Sequence, residues 1–576
     1  MDDTASHRES PQAIDHLILG GGSAGCVLAA RLSEDATRRV VLVEAGRNIG
    51  ADDMPAAIAS RYPGRAYLDP RNIWGHLKAQ FAARPDRGQA TSRRRYEQAK
   101  LLGGGSAINA LMANRGAPAD YDEWAALGAT GWHWQACLPW FIAIERDVDG
   151  QGPDHGHNGP LSIRRIADTN LSPFVAGVMQ TLAEQGYPPQ ADQNGAWQDG
   201  TFKATIAASD TGQRLPTSVA WLTPEVRQRP NLEIVTESQA QRIVFDGRRA
   251  IGAVVAHKTG APQTIYAREV VVASGAIHSP TLLMRSGVGP AEQIAACGIT
   301  PVADCPAIGS NLMEHPSIAV ASYLRSSARE SNDEEHHEQG VWRFSSALPG
   351  TPTGDMHASI LARSGWHSVG QRVGSLFFWV NKSYSRGRVA LNPSNVDGPP
   401  QIEFDMLGDT RDLERLKMAL RLGARTLQHH RMEPYGGPVF PASYSPRVAA
   451  LAMPGWVNRV QRGLFAGVLD LAGRHRHRVI SAAVSNGITI ERLLADDQAL
   501  TEFVRSHVGG TWHASGTCRM GQADDPQAAT SPTGCVHGVT SLRVCDASLM
   551  PSIPCANTNL PTLMIAERIA HAIRSE

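Results

Sequence analysis

Three glycines and one acid carry the first chemical signal in this chain of 576 residues. Gly20-x-Gly22-x-x-Gly25 follows a short apolar run (Ile14, Leu17, Ile18, Leu19), and a second run, Val40 to Val43, ends at Glu44. Gly20 permits a tight turn, Gly22 lets the backbone approach a pyrophosphate, and Gly25 lets a helix pack close to a strand. The helical stretch Ser23–Ser33 then presents its N–H groups and partial positive charge to phosphates. Glu44, 19 residues after the last glycine, can accept both hydroxyls of an adenosine ribose and repels a 2′-phosphate. The glycines alone are a weak signal; with both strands and the acid in place the unit predicts dinucleotide binding. A second candidate lies near the C-terminus, where Trp512-His513-Ala514-Ser515-Gly516 precedes Asn557 by 44 residues counted from the histidine. A neutral imidazole, with an ordinary pKa of about 6.5, is suited to taking a proton at neutral pH.

The elements that must position these residues read as a multidomain α/β enzyme. The length exceeds what one core of ~100–200 residues supplies. Apolar residues at 42% and charged residues at 19% fit a globular protein. Lys plus Arg and Asp plus Glu are equal at 55 each, so no global field recruits nucleic acid or an anionic membrane. The polar, acid-containing start (Met1 to Asp15) lacks the apolar run of a secretory signal, and no stretch reaches the ~18 apolar residues of a membrane span. The eight cysteines are scattered without metal-type spacing, and are expected to be reduced thiols of a cytoplasmic protein that binds no metal.

The unit does not by itself distinguish FAD from NAD. Three further stretches do: Glu44-Ala45-Gly46, then Leu102-Gly103-Gly104-Gly105-Ser106-Ala107-Ile108-Asn109, then Gly275-Ala276-Ile277-His278-Ser279-Pro280 running on to Gly289. These resemble the glucose–methanol–choline (GMC) oxidoreductases, the last at every constrained position of a family signature, and the resemblance runs from Asp15 to the final helix. Asn114-Arg115-Gly116, Asp120-Tyr121-Asp122-Glu123-Trp124, Phe378-Trp379-Val380-Asn381-Lys382 and Trp512-His513-Ala514-Ser515-Gly516-Thr517 are most similar to the family's bacterial aryl-alcohol and furfural-oxidase branch.

The resemblance implies a Rossmann-like FAD-binding domain assembled from 13–165, 230–320 and 500–576. It also implies a discontinuous substrate domain from 166–229 and 321–499, built on an antiparallel sheet (α/β, α+β overall). The runs Gly387–Leu391 and Gln401–Phe404 suit that sheet. FAD would be held by Gly20, Gly22, Ser23, Ala24, Gly25, Glu44, Ala45, Leu102, Gly103, Gly105, Ser106, Asn109, Ala240, Trp512, Asp546, Ala547, Asn557 and Thr558. A closing helix, Thr562–Ser575, would turn its N-terminus to the flavin. Some relatives tether FAD through a histidine where this chain has Ile108, which implies a noncovalent cofactor.

An alcohol loses a proton from oxygen and a hydride from carbon. The resemblance makes His513 the base and Asn557 the second group on the substrate oxygen, with Asn559 a rival by proximity. Phe377, Trp379 and Trp512 are the candidate substrate wall, which fits an uncharged aryl or heteroaryl primary alcohol, or an aldehyde hydrate. Oxygen is the expected acceptor, giving hydrogen peroxide; a dehydrogenase using a quinone and a non-redox hydroxynitrile lyase are the alternatives. No nucleic-acid or membrane partner is expected. His278 and His315 are expected to be structural, and Thr511 stands where the branch is apolar. The run Asp333-Glu334-Glu335-His336-His337-Glu338 reads as a solvated, mobile surface loop. Arg474-His475-Arg476-His477-Arg478 reads as an exposed helix end or loop.

Overall fold

The computed structural model describes residues 13–82, 93–442, 450 and 452–576. The two apolar runs flanking the glycines become β1 (Ile14–Leu19) and β2 (Val40–Val43), with Leu17, Ile18, Leu19 and all of β2 buried. Runs without polar alternation belong in a parallel sheet covered on both faces. β1 pairs parallel with β2, His16 opposite Val40, and on its other edge with Gln263–Val272, Leu19 opposite Val272. Leu232–Val235 extends this layer beyond β2, and Leu542–Val544 beyond Gln263–Val272. The start of the long strand Gln263–Val272 pairs instead with Arg249–His257, which pairs with Ser238–Asp246 in an antiparallel meander. One sheet thus gathers widely separated parts of the chain at the same edge.

Between β1 and β2 runs the helix α1 (Ser23–Leu32), buried along Cys26, Val27, Leu28 and Ala29 and packed against the closing helix Asn559–Ser575. That helix begins three residues before the expected Thr562. Pro561 falls in its first turn, where a missing N–H costs nothing, so it does not delay the start.

The second layer is a six-stranded antiparallel sheet in the order Gly436–Ala442, Ser317–Leu324, Val373–Val380, Met356–Leu361, Glu338–Phe344, Gly200–Lys203. Side chains alternate between its faces. Phe378 points to the helix Thr410–Leu427, where it closes on Gly423, while Phe377 and Trp379 point to a cavity on the other side.

Two expectations are corrected here. Arg388–Ala390 and Gln401–Glu403 do not join this sheet; they pair with each other and with Lys78–Gln80 and Arg94–Arg95 in a separate four-stranded sheet. Gly387 exchanges backbone hydrogen bonds with Leu312, which fixes these short strands elsewhere. The run 333–338 is not a solvated loop either. Asp333 and Glu334 are exposed, but Glu335, His336 and Glu338 are buried, and Glu338 begins a strand of the second sheet. His336 is held by the Glu338 and Ala110 carbonyls at 2.6 and 2.8 Å. Arg474–Arg478 forms the turn from a short 3-10 helix into Arg476–Ala483, with Arg474, His475, His477 and Arg478 exposed.

The eight cysteines are free thiols, and no helix among the described residues is long and apolar enough to cross a membrane. Gly25 has the least room of the nucleotide-loop glycines: a Cβ there would lie 1.9 Å from the Gly20 carbonyl oxygen. Gly25→Ala must therefore push α1 off β1. It is expected to lower the melting temperature and, if the dinucleotide expected from the sequence is flavin, to strip it from the protein during gel filtration, read as the visible-to-ultraviolet absorbance ratio. Retention of a full flavin complement would show that the contact does not set the loop.

Candidate active site

One cavity of about 810 Å³ runs between the two sheets. Its first end is built from the glycine turn. Gly20 sits at φ +115° and hydrogen-bonds the Val43 carbonyl at 2.9 Å, so the chain turns away from β1 without a side chain in the way. Gly22, Ser23 and Ala24 line the cavity, and α1 has no side-chain cap, so its first N–H groups remain available to an anion. Glu44 lines the same end with Ala45 and Ala240; its oxygens accept from the Gly21 N–H at 2.8 Å and the Gly46 N–H at 2.7 Å. Each carboxylate oxygen keeps a lone pair for a ribose hydroxyl.

The middle of the cavity is lined by Gly105, Ile108, Asn109, Gly275, Asp546, Ala547 and Thr558. A Cβ at Gly105 or Gly275 would meet nothing within 4 Å, and Asn557 Oδ1 and His278 Nε2 are buried without partners. Asp546 accepts from Gly275 N–H and Ser548 N–H, both at 2.8 Å, and so ties the second signature to the C-terminal segment. Open backbone, orphaned polar atoms and two uncapped helix starts, at Ser23 and Asn559, fit an extended, phosphate-bearing FAD. Leu102, Gly103 and Ser106 lie behind the wall instead. Gly103 N–H bonds Gly21 O at 2.8 Å, and Ser106 Oγ accepts from Thr217 N–H at 2.9 Å, so these residues shape the loop. Gly25 likewise acts by packing.

At the far end His513 is 9% exposed and burial lowers its pKa to about 3, so it is neutral at physiological pH. Its tautomer follows from its neighbours. His315 Nε2 faces the Pro554 carbonyl at 3.1 Å and must donate to it. His315 is neutral too, its pKa held down by burial, so its Nδ1 carries a lone pair. That lone pair faces His513 Nδ1 at 2.8 Å, which places the His513 proton on Nδ1. Thr511 Oγ1, 2.7 Å from the same nitrogen, donates to Glu314 Oε1 at 3.0 Å and accepts a share of that proton. The free lone pair of His513 is on Nε2, 3.2 Å from Asn557 Nδ2.

The supports come from scattered signatures. Glu314 accepts from Tyr96 Oη at 2.6 Å and, with both oxygens, from His513 N–H at 2.9 Å. This fixes the turn at Trp512, whose φ of +61° is costly for an aromatic residue. Asn557 N–H bonds Asn114 Oδ1 at 2.8 Å. Lys382 bonds Asp120 Oδ1 at 3.0 Å and the Ile553 carbonyl at 3.1 Å, while Asp120 Oδ2 accepts from Cys555 N–H at 2.7 Å. The asparagine loop is thereby braced by Asp120 and Lys382, which come from two separate stretches that carry the family resemblance. Asn559 bonds Ser23 Oγ at 2.7 Å and serves to join the two helix starts.

Phe377, Trp379 and Trp512 line the cavity near His513, and Trp512 bonds Glu97 at 3.1 Å. His357 stacks on Trp379 at 3.9 Å between ring centroids. The sequence reading missed Glu314, Tyr96 and His357; only the Glu314-His315 adjacency offered a local signal. It also set aside Glu338, which lines the cavity with Ser359. Two clusters have metal-like composition. In Glu314-His315-His513 the carboxylate is taken up by Tyr96, Thr511 and backbone N–H groups, and the two histidines face each other through Nδ1. In Glu145-Asp147-His155 the charge is met by Arg115, Arg165 and a protonated His155, whose carboxylate partners raise its pKa to about 11.

Family models described as GMC oxidoreductase match residues 14–317 and 383–566. The chain is 38% identical to the 5-(hydroxymethyl)furfural oxidase of Methylovorus sp. (strain MP688), over 98% of this chain and 99% of that one. It is 30% identical to the oxygen-dependent choline dehydrogenase of Vibrio vulnificus (strain YJ016), over 98% and 94%. The crystal structure of pyridoxine 4-oxidase from Mesorbium loti superposes with a TM-score of 0.79 at 26% identity, covering 98% of this chain and 99% of that chain.

The buried neutral histidine has a consequence for stability. In the unfolded chain it protonates near the ordinary pKa of about 6.5, but in the fold only near about 3, so the unfolded state binds more protons between these values. Stability is complete above pH 6.5 and falls as pH drops through that window, by at most about 1.4 kcal/mol per pH unit from this site. Thermal denaturation from pH 7 to pH 4 is expected to show a smaller loss for His513→Gln than for the wild type. Identical slopes would mean that His513 is not held neutral.

Proposed function

The chain belongs to the GMC oxidoreductase family and is an FAD-dependent alcohol oxidoreductase; from that premise we propose that it oxidises primary aryl or heteroaryl alcohols to aldehydes, with oxygen as the acceptor and hydrogen peroxide as the second product. The observation that carries this reading is the neutral His513 with its Nε2 lone pair beside Asn557, at the end of a cavity walled by Phe377 and Trp379.

His513 Nε2 takes the hydroxyl proton of the substrate, and Asn557 Nδ2 donates to the same oxygen as negative charge develops there. Bound FAD supplies the hydride acceptor for the carbinol carbon. The positive charge that arrives on His513 is met through Nδ1, where the His315 lone pair lies at 2.8 Å and the Thr511 hydroxyl relays to Glu314. Thr511, polar where an apolar residue was expected, thus serves the base and not the substrate. The aromatic wall excludes water and favours a planar ring. An aldehyde hydrate offers the same O–H and C–H pair, which extends the proposal to acids. Ile108, at the cavity wall, has no nucleophile to offer, so the cofactor is held without a covalent bond.

Anaerobic addition of a benzylic or furanic alcohol is expected to bleach the flavin, and admission of air to restore it with one equivalent of peroxide. Bleaching without reoxidation by air would turn the assignment to a dehydrogenase, and turnover without bleaching to a lyase. His513→Ala is expected to lower turnover by about 10²-fold or more with flavin retained; near-wild-type turnover removes it as the base. Denatured protein passed through an ultrafilter is expected to release all its flavin, and flavin retained on the polypeptide overturns the noncovalent assignment.

A further inference from the structure

A carboxyl group that this chemistry does not use faces the same cavity. Glu338 opens the strand Glu338–Phe344, is 4% exposed, and accepts through Oε1 from the Ser359 hydroxyl. Among the described residues Ser359 is the one side-chain partner of this carboxyl and no cationic group acts on it, so burial pushes its pKa up to about 7. Other buried acids are matched by a cation or by several donors: Asp355 and Asp412 by Arg415, Asp120 by Lys382 and Asp147 by Arg165, and Glu44 and Glu314 each by two or more N–H or O–H groups. An unpaired carboxyl in an aromatic cavity is costly when ionised, and the fold has left it without an internal cation.

Its place relative to the base is set by strand geometry. His357 and Trp379 stack face to face on neighbouring strands, and His357 lies near enough to His513 that protonation of one would disfavour protonation of the other. Ser359 follows His357 by two residues on the same face, about 7 Å further along the strand, and is paired across to Phe377. Glu338 Oε1 is hydrogen-bonded at that second rung. The carboxyl thus lies one two-residue strand step beyond His357, the strand residue facing the His513 end, and Phe377 and Trp379 line the same cavity wall.

We propose that Glu338, held by Ser359, is the recognition site for a cationic nitrogen on the end of the substrate remote from its hydroxyl, so that the preferred substrates are aryl or heteroaryl alcohols bearing a protonated amine. The inference rests on the alcohol-oxidising reading above and narrows it. It also departs from the uncharged alcohol that the aromatic stretch in the sequence suggested, since Glu338, in a run expected to be solvated, lines the cavity. A ligand ammonium removes the cost of the isolated carboxylate, and the faces of Phe377 and Trp379 add attraction for a cation. A substrate carboxylate in the same place meets a like charge and is rejected.

The test compares 4-(aminomethyl)benzyl alcohol with 4-methylbenzyl alcohol on the flavin-loaded enzyme, and measures benzylammonium binding by calorimetry. The wild type is expected to favour the ammonium substrate in kcat/KM and to bind benzylammonium. Glu338→Gln, equal in shape but uncharged, is expected to reduce both the preference and the binding by about tenfold or more. Glu338→Asp, which keeps the charge but withdraws it, is expected to lose part of each. An unchanged ratio in Glu338→Gln, no binding of benzylammonium to the wild type, or a preference for 4-carboxybenzyl alcohol overturns the proposal. If no alcohol bleaches the flavin, the oxidase reading fails by itself, while the calorimetric comparison still reads the Glu338 site. Should Glu338→Gln not fold, the wild-type binding and substrate ratios remain decisive.

Discussion

The Glu314 carboxylate accepts from the Tyr96 and Thr511 hydroxyls and from the backbone N–H groups of His315 and His513. These donors come from separate parts of the chain, and a buried acceptor satisfied by several of them at once sets their mutual positions. The left-handed backbone at Trp512 is maintained by this arrangement, and with it the direction of the His513 ring. Burial raises the pKa of Glu314, and the donors around it oppose that effect. The site therefore depends on a polar cluster whose members are individually expensive to bury and acceptable only together.

The two sheets divide the work around this cluster. The parallel layer brings the glycine turn, Glu44 and Asp546 to one edge because each follows a buried strand of that layer or lies in its first turn. The antiparallel layer presents alternate residues to the cavity, so Phe377 and Trp379 face it while Phe378 anchors the sheet to the helix behind. Precision at the nucleotide end comes from absent side chains, at Gly20, Gly22, Gly105 and Gly275. Precision at the reactive end comes from hydrogen bonds, and from the ion pairs of Lys382 with Asp120 and Glu123 behind the asparagine loop.

The tautomer of His513 shows how far this positioning reaches. It is decided by the Pro554 carbonyl acting through His315, two contacts away. A residue expected to be a structural anchor is thus the one that directs the His513 lone pair toward Asn557. Thr511 contributes in the same way, by offering its oxygen to His513 and its proton to Glu314.

The sequence by itself determined the features that depend on neighbours in the chain. β1, the glycine turn, α1, β2 and Glu44 form one local unit whose hydrophobic periods and glycine positions leave little choice of structure. The long signatures around Gly105, Gly275 and His513 likewise led to the family and to the flavin. Tertiary structure decided what depends on partners far away. Glu335, His336 and Glu338 read as a solvated run because charge predicts exposure, yet Ser359, the Ala110 carbonyl and the second sheet bury them. Arg388–Ala390 and Gln401–Glu403 read correctly as strands, but strand character does not specify which sheet a strand joins. Burial of a polar group is affordable only where a distant chain segment supplies its partner, and that pairing is not written in the local pattern of residues.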